Sequence, residues 1–506
     1  MIDFDIKYTN DVHLRVNCSS DALAMELSEF FTFEVPNARF IPSVKIKMWD
    51  GKIRLFNLRN NSLYVGLLSN FIKFCEDRSY TYQIDPKLLE NSKETCTSEE
   101  AKNFLESLNI HSNGQKLAPM THQIEAIRHF IERSRCLLLS PTGSGKSLVI
   151  YAIIRLLESS RIPNPTFKKK TLIVVPTVSL VHQLTHDFKD YSSENKWDAE
   201  SKCHQIFSGE EKNPEKPVVI STWQSIYRMS KEYFNQFDSV IWDEVHLASS
   251  SESKNILEKL ETCPVRVGTT GTLNGMKTSR LVLEGLLGPV HRVAYSKDLM
   301  DQNILSELAI KCLVLKYSQE ERNTVKNLKY HEEIEFLLFH EKRCDFLVNL
   351  ALSTKGNTML LFQYVEKHGK ILYEKLKLAN KDSSRKIFYI SGETEAQYRE
   401  QVRKLIESQE NAIIVGSVGV LSTGINIKKL HNIIFGSPSK SRVRVLQSIG
   451  RQLRKHKDKT IATLYDVSDD LQYKSKQNYS LKHLLERIKI YNEEKFDYKI
   501  HQIKLT

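Results

Sequence analysis

At 506 residues, with 41% hydrophobic and 26% charged side chains, the chain is too long for one core and too evenly mixed for a disordered or fibrous protein, so three domains are expected, with two as the alternative. A net charge of +12 suits a polyanionic partner and is equally compatible with plain solubility. The eight cysteines, at 18, 75, 96, 136, 203, 263, 312 and 344, form no CxxC pair and no zinc or iron–sulfur spacing, which points to reduced thiols and no structural metal.

Asp3 and Asp5 make the first residues acidic where a secretion signal is basic, and no apolar run approaches the ~20 residues of a membrane span. A cytoplasmic protein with no membrane partner is expected. Residues 1–95 read as a small α+β domain with short strand-like runs, a helix over 21–31 and a hairpin over 46–56. Asp50-Gly51 would make its turn, because this pair takes the left-handed dihedrals of a type I′ turn. Lys45, Lys47, Lys52 and Arg54 flank that turn, with Trp49 beside it. Both a plain solvated hairpin and one that grips nucleic acid fit, with Lys52 and Arg54 as the contacts in the second case. The polar stretch 90–100 reads as a linker.

Over 96–305 apolar strands alternate with amphipathic helices, with strands expected at 135–139, 171–175, 218–221, 239–242 and 266–268. That alternation predicts a doubly wound parallel sheet. It resumes over 306–506, with strands at 358–362, 386–390, 412–415, 432–434 and 460–465. The expected α/β fold is therefore two tandem parallel-sheet domains of related layout behind the small first domain.

The strand at 135–139 runs into Ser140-Pro141-Thr142-Gly143-Ser144-Gly145-Lys146-Ser147, and a helix carrying Leu148, Ile150, Ile153 and Leu157 leaves it. Strand, glycine loop and helix form a phosphate cradle. Gly143 and Gly145 let backbone amides approach an ATP, with Thr142 and Ser144 in the same loop; Lys146 reaches its β and γ oxygens and Ser147 can ligate Mg²⁺. Asp243 closes an apolar strand, where its carboxylate can hold the Mg²⁺ shell, and Glu244 is placed to polarise the attacking water. Gln123 can donate and accept at once, which suits an adenine edge. Arg451 and Arg454, three apart in Gln447-Ser448-Ile449-Gly450-Arg451-Gln452-Leu453-Arg454, share one face of a helix and can stabilise γ-phosphate charge. Arginines and Lys146 lie on different domains, so hydrolysis would require closure.

Hydroxyl-rich strand ends recur at Pro176-Thr177, Thr222-Trp223, Thr270-Gly271-Thr272, Ser391-Gly392 and from Ser417 to Thr423-Gly424. Hydroxyls and amides there suit phosphate contacts, although a single Thr-Gly pair is ordinarily a turn or cap.

Taken in order, Gln123, the 143–147 loop, Pro176-Thr177, Asp243-Glu244-Val245-His246, Thr270-Gly271-Thr272, 417–426 and 447–454 resemble the motifs of superfamily 2 DExH-type helicases. The match covers roughly residues 117–470. Phe30-Phe31-Thr32-Phe33, Trp49-Asp50-Gly51-Lys52-Ile53-Arg54 and Glu494-Lys495-Phe496 are similar to the UvsW family of T-even phage helicases. This resemblance implies RecA-like domains and an ATP- and Mg²⁺-dependent, 3′ to 5′ helicase. Its implied substrates are branched DNA and RNA–DNA hybrids: forks, Holliday junctions, D-loops and R-loops in recombination, repair and replication. It implies nucleic-acid contacts at Pro176, Thr177, Thr222, Trp223, Gly271, Thr272, Gly392, Ser417, Thr423, Lys52 and Arg54, and coupling through His246, Thr270, Gly424 and Gln447. Single-strand-binding and recombination proteins are the expected protein partners of a monomer. Ser140 where the general phosphate-loop pattern has glycine, Thr-Gly-Thr at 270–272 and Asn426 depart from common patterns. A double-stranded DNA translocase that does not separate strands would use the same motor residues.

Overall fold

Apolar runs such as Thr171–Val175 and Thr358–Phe362 are buried at every residue, and a strand apolar on both faces is stable only between two layers of helices. They are inner strands of two all-parallel sheets in the computed structural model, which describes residues 2–505 other than 36–37, 90–94, 160–169, 208–214, 248–250, 274–276, 419–426, 428, 438–448 and 451–460. The chain divides into two compact units, Met1–Ser140 with Gly145–Val293 and Pro141–Ser144 with Ala294–Thr506.

In the first unit the amino-terminal strands are β1 (Phe4–Tyr8), β2 (His13–Cys18), β3 (Thr32–Glu34), β4 (Lys52–Arg54), β5 (Ser62–Tyr64) and β6 (Tyr82–Ile84). Four of them form a mixed sheet in the order β5-β2-β1-β6. Its core is aromatic: Phe4 meets Phe71 edge-on at 5.4 Å and Tyr80 at 5.6 Å, geometry that adds to simple area burial. The helix expected over 21–31 is Asp21–Phe30, capped by the Ser20 side chain.

The hairpin expected over 46–56 does not form. β4 pairs antiparallel with β3, Thr32 opposite Arg54 and Glu34 opposite Lys52, and Pro42–Lys45 is a short helix. Pro42 at the first helical position has the φ of a helix start and no amide to lose, so the chain before Asp50 coils where an extended strand was expected. The polar stretch 90–100 likewise ends in structure. Thr97 caps helix Ser98–Ser107 and Glu100 returns the bond to the Thr97 amide, a capping box.

A short pair, β7 (His111–Ser112) and β8 (Gln115–Lys116), precedes the large sheet of this unit. That sheet comprises β9 (Arg135–Leu139), β10 (Thr171–Val175), β11 (Cys203–Ile206), β12 (Val218–Thr222), β13 (Ser239–Asp243), β14 (Val265–Thr270) and β15 (Val290–Arg292), ordered β11-β12-β10-β13-β14-β9-β15. The amino-terminal sheet and this one share a continuous hydrophobic core that joins Phe4 and Leu67 to Leu137 and Trp242. Polar ties reinforce the junction: the Asp11 amide donates to the Glu261 carbonyl at 3.0 Å, and the Tyr64 hydroxyl to Glu258 at 2.6 Å.

The second unit's sheet comprises β16 (Glu307–Lys316), β17 (Thr358–Phe362), β18 (Ile387–Ile390), β19 (Ile413–Ser417), β20 (Asn432–Phe435), β21 (Ile461–Asp470) and β22 (Tyr498–Lys504), ordered β18-β19-β17-β20-β21-β16-β22. Helix Tyr479–Glu493 is locked onto it by Arg487, whose buried guanidinium donates twice to Asp466 at 2.8 and 2.7 Å. Among the described residues no helix is long and apolar enough to cross a membrane, and no group of three metal-ligating side chains stands together.

Candidate functional site

The parallel sheet brings the carboxyl ends of β9, β13 and β14 side by side, and loops leaving that edge converge as they do in other open α/β sheets. After β9 the chain turns through Gly143 at φ 86° and Gly145 at φ 81°, a left-handed conformation that strains any residue bearing a Cβ. At Gly145 a Cβ would also lie 2.5 Å from Gln123 Nε2. Gly145 caps helix Lys146–Glu158, whose amide-rich start faces the loop.

Lys146 is largely buried, and its ammonium sits 3.9 Å from the Glu244 carboxylate. Gln123 is buried at the start of helix Thr121–Glu132, with its amide oxygen accepting from the Met120 N–H at 3.1 Å. That bond orients its amide nitrogen toward Gly145.

Asp243 ends β13 opposite Thr269 of β14. The Thr269 hydroxyl donates to Asp243 Oδ1 at 2.6 Å and the Glu244 amide donates to the same oxygen at 2.9 Å. Both contacts fall on Oδ1, which leaves Oδ2 for a cation. Burial raises the proton affinity of this carboxyl and the charge of Glu244 raises it further, against the opposing pull of Lys146, Thr269 and the Glu244 amide. Half-buried carboxylate oxygens beside a lysine fit a hydrated Mg²⁺ carrying a nucleotide. Glu244 adopts φ 50°, a left-handed backbone that costs energy in a non-glycine residue and aims its side chain at Lys146.

From Glu244 a polar chain leads to the next strand end. His246 Nδ1 lies 3.3 Å from Glu244 and 2.8 Å from the Thr270 hydroxyl. Thr270 donates its single proton to the Thr272 carbonyl at 2.8 Å, so it accepts from His246, which places the imidazole proton on Nδ1.

Other expected residues serve local roles. The Thr177 hydroxyl caps helix Val178–Tyr191 by accepting from the Leu180 amide, and Thr222 is buried with its hydroxyl 2.9 Å from Ser225. Trp223 packs edge-on to Tyr227, Gln224 reaches the Pro176 carbonyl, and Thr272 is buried beside Gly271. Gly392 faces open space and Ser417 is buried. Arg54 is held in a two-pronged pair by Asp50, and Lys52 stands 3.9 Å from Glu34. Thr423, Gly424, Gln447, Arg451 and Arg454 lie outside the described residues.

Two participants escaped the sequence reading. Thr269 holds Asp243. Tyr191 places its hydroxyl 2.8 Å from Ser147 Oγ, and the Ser147 and Gln183 side chains hold down the proton affinity of the neighbouring Asp187 against the raising effect of its burial. Gln183, Asp187 and Tyr191 recur every four residues on one helix, and that shared face was the available signal.

Fold and site together define an ATP-dependent helicase of superfamily 2. Residues 116–275 match the family described as type III restriction enzyme, res subunit, 341–456 match the helicase conserved C-terminal domain, and 3–85 match the amino-terminal domain of DNA helicase UvsW. The ATP-dependent DNA helicase uvsW of Enterobacteria phage T4 is 32% identical over 521 residues, spanning 100% of both chains. The crystal structure of T4 UvsW aligns over 100% of both chains with a TM-score of 0.52 and 31% identity. A DNA 3'-5' translocase, XPB2 of Sulfurisphaera tokodaii, is 26% identical over 71% of this chain and 83% of its own. The chain belongs to the UvsW helicase family.

Proposed function

We propose that the protein is a Mg²⁺-assisted, 3′ to 5′ DNA helicase that unwinds or branch-migrates forks, Holliday junctions, D-loops and R-loops in recombination, repair and replication, working as a monomer in the host-cell cytoplasm. The observation that carries this reading is the meeting of Lys146, Asp243 and Glu244 at one sheet edge, in a chain similar from end to end to a phage DNA helicase. In this reading 1–95 contacts nucleic acid, 96–305 binds ATP and 306–506 supplies the arginines.

Bound Mg²⁺ would supply charge neutralisation on the β and γ phosphates. Ser147 and Asp243 Oδ2 are the groups to hold it. Lys146 draws electron density from the γ-phosphate, and Glu244 orients a water for attack in line with the leaving oxygen. The His246 to Thr270 bond ties Glu244 to the loop after β14, so a shift of that loop on nucleic acid would alter the position of the base. Arg451 and Arg454 stabilise γ-phosphate charge, and Gly424 and Gln447 join in coupling.

The test is ATP hydrolysis with and without single-stranded DNA, followed by strand displacement on fork, Holliday-junction and R-loop substrates at one salt concentration. Stimulation together with displacement of a branched strand supports the reading, and hydrolysis indifferent to nucleic acid removes it. Similarity to a DNA 3'-5' translocase favours a second reading, a duplex translocase that remodels bound complexes. Triplex displacement without fork unwinding would select it.

A further inference from the structure

The loop that replaces the expected hairpin has properties that nothing so far explains. Residues 38–49 contain Arg39, Lys45 and Lys47 and no acidic residue. All three cations are exposed, and none has an acidic partner among the described residues. The two cations that sequence reasoning singled out, Lys52 and Arg54, are by contrast close to Glu34 and Asp50. Beside the unpaired cations stand large apolar side chains facing water: Phe40 is 61% exposed, Ile46 65% and Met48 80%. A soluble protein seldom leaves such a cluster bare without a partner for it.

Hydrogen bonds close the base of the loop, while its tip faces solvent. The Val35 amide donates to the Gly51 carbonyl at 2.9 Å, the Met48 and Trp49 amides both return to Ser43, and the Trp49 indole donates to the Lys52 carbonyl at 3.0 Å. Gly51, at φ 76°, sits so close to Ala38 that a Cβ would come within 2.6 Å of the Ala38 Cβ. Lys47, at φ 59°, turns the chain sharply out of helix Pro42–Lys45 and sends Met48 to the surface. Phe40 lies under the Arg39 guanidinium at 4.9 Å, so ring and cation are presented together.

We infer that this loop is the edge that parts strands at a branch point, with Phe40, Ile46 and Met48 stacking on or inserting beside the bases of the junction while Arg39, Lys45 and Lys47 contact the adjoining phosphates. The inference rests on the helicase reading and adds to it the element that separates the strands. Apolar side chains of these types wedge between base steps, and an aromatic ring stacks on any base irrespective of sequence. Cations with no internal partner lose nothing on meeting phosphate and release counterions as they do so. The match of an uncompensated positive rim to an apolar tip favours nucleic acid over a protein partner, whose docking would need no such rim.

The experiment uses the full chain and a forked duplex carrying 2-aminopurine at the first paired position. The wild type is expected to brighten the probe on binding. Phe40→Ala with Met48→Ala should abolish that rise and slow fork unwinding about tenfold, while ATP hydrolysis stimulated by single-stranded DNA stays within about twofold of wild type. Lys45→Glu with Lys47→Glu should lower the slope of log affinity against log salt by about two. Both pairs are solvent-facing, so an unchanged melting temperature certifies the fold, and Phe40→Trp should retain the fluorescence rise. Normal unwinding and an undiminished probe signal in the Phe40/Met48 variant would overturn the inference, including in favour of a protein-docking role. Failure of the helicase reading shows differently, as absence of nucleic-acid stimulation in the wild type.

Discussion

The two large sheets are topological copies that use strand-end carboxylates for opposite purposes. Numbered from its own first strand, each reads 3-4-2-5-6-1-7. In the first unit Asp243 is half-buried with a threonine hydroxyl, a backbone amide and a nearby like charge, and its proton affinity is raised. In the second unit Asp466 receives two bonds from Arg487 and one from Tyr491, and Asp469 receives Arg343, Tyr317 and Ser480. An arginine-neutralised carboxylate holds a fold together; one left short of positive charge is ready to take a cation. The loops differ in the same sense. After the first strand of the first sheet comes the Gly143 and Gly145 turn, whereas after β16 the chain enters a Ser318–Glu321 capping box. One architecture therefore hosts a nucleotide site in one copy and a structural ion-pair network in the other.

This contrast can be broken by experiment, and the largest effect is expected at Lys146. Lys146→Ala should lower kcat for ATP hydrolysis by about 10³-fold or more with the melting temperature unchanged, as read by steady-state phosphate release and calorimetry. Next, Asp469→Asn should destabilise the second unit by about 3–5 kcal/mol, because it strands the buried Arg343 charge, measured by urea unfolding. A stable Asp469→Asn protein would erase the distinction drawn between the sheets.

Glu244→Gln should keep ATP affinity while hydrolysis falls about 10²-fold; equilibrium binding of a fluorescent ATP analogue beside single-turnover rates separates the two. Arg451→Ala should lower kcat with little loss of DNA affinity, and a pure DNA-binding defect would reassign that arginine. The smallest effect is a pH dependence outside the site. His129 stacks on His291 at 3.8 Å, and burial, with the His291 charge second, brings its pKa down from 6.5 to about 4. A base whose folded value lies below its unfolded one contributes stability above pH 6.5 and loses it as pH falls through about 4. Arg133 and Arg128 oppose its protonation and Glu125 favours it. The melting temperature should therefore drop on acidification, and His129→Gln should flatten that drop.

Much of the molecule was legible beforehand for a simple reason. A strand buried on both faces must be apolar at nearly every position, so β9, β10, β13, β17 and β20 announced themselves, and the Lys146 loop and Asp243 stand at their ends. Short half-buried segments carry no such signature. At 42–49 a proline-started turn of helix outweighs the Asp-Gly pair, and β4 pairs with β3 instead of closing a hairpin across 50–51.

Order along the chain was enough to name the phosphate loop, the acidic strand end and the doubly wound class, since each depends on neighbours within a few residues. Folding alone decided that Thr269 rather than a charged group would hold Asp243, that Tyr191 would meet Ser147, and that Asp50 and Glu34 would lie beside Arg54 and Lys52, while Arg39 and Lys47 have no acidic partner among the described residues. The Thr269, Tyr191 and Glu34 contacts join residues far apart in sequence, and Arg54 with Asp50 closes only once the β3–β4 pairing is set. Their partners are selected by strand register and helix packing, which no local pattern encodes.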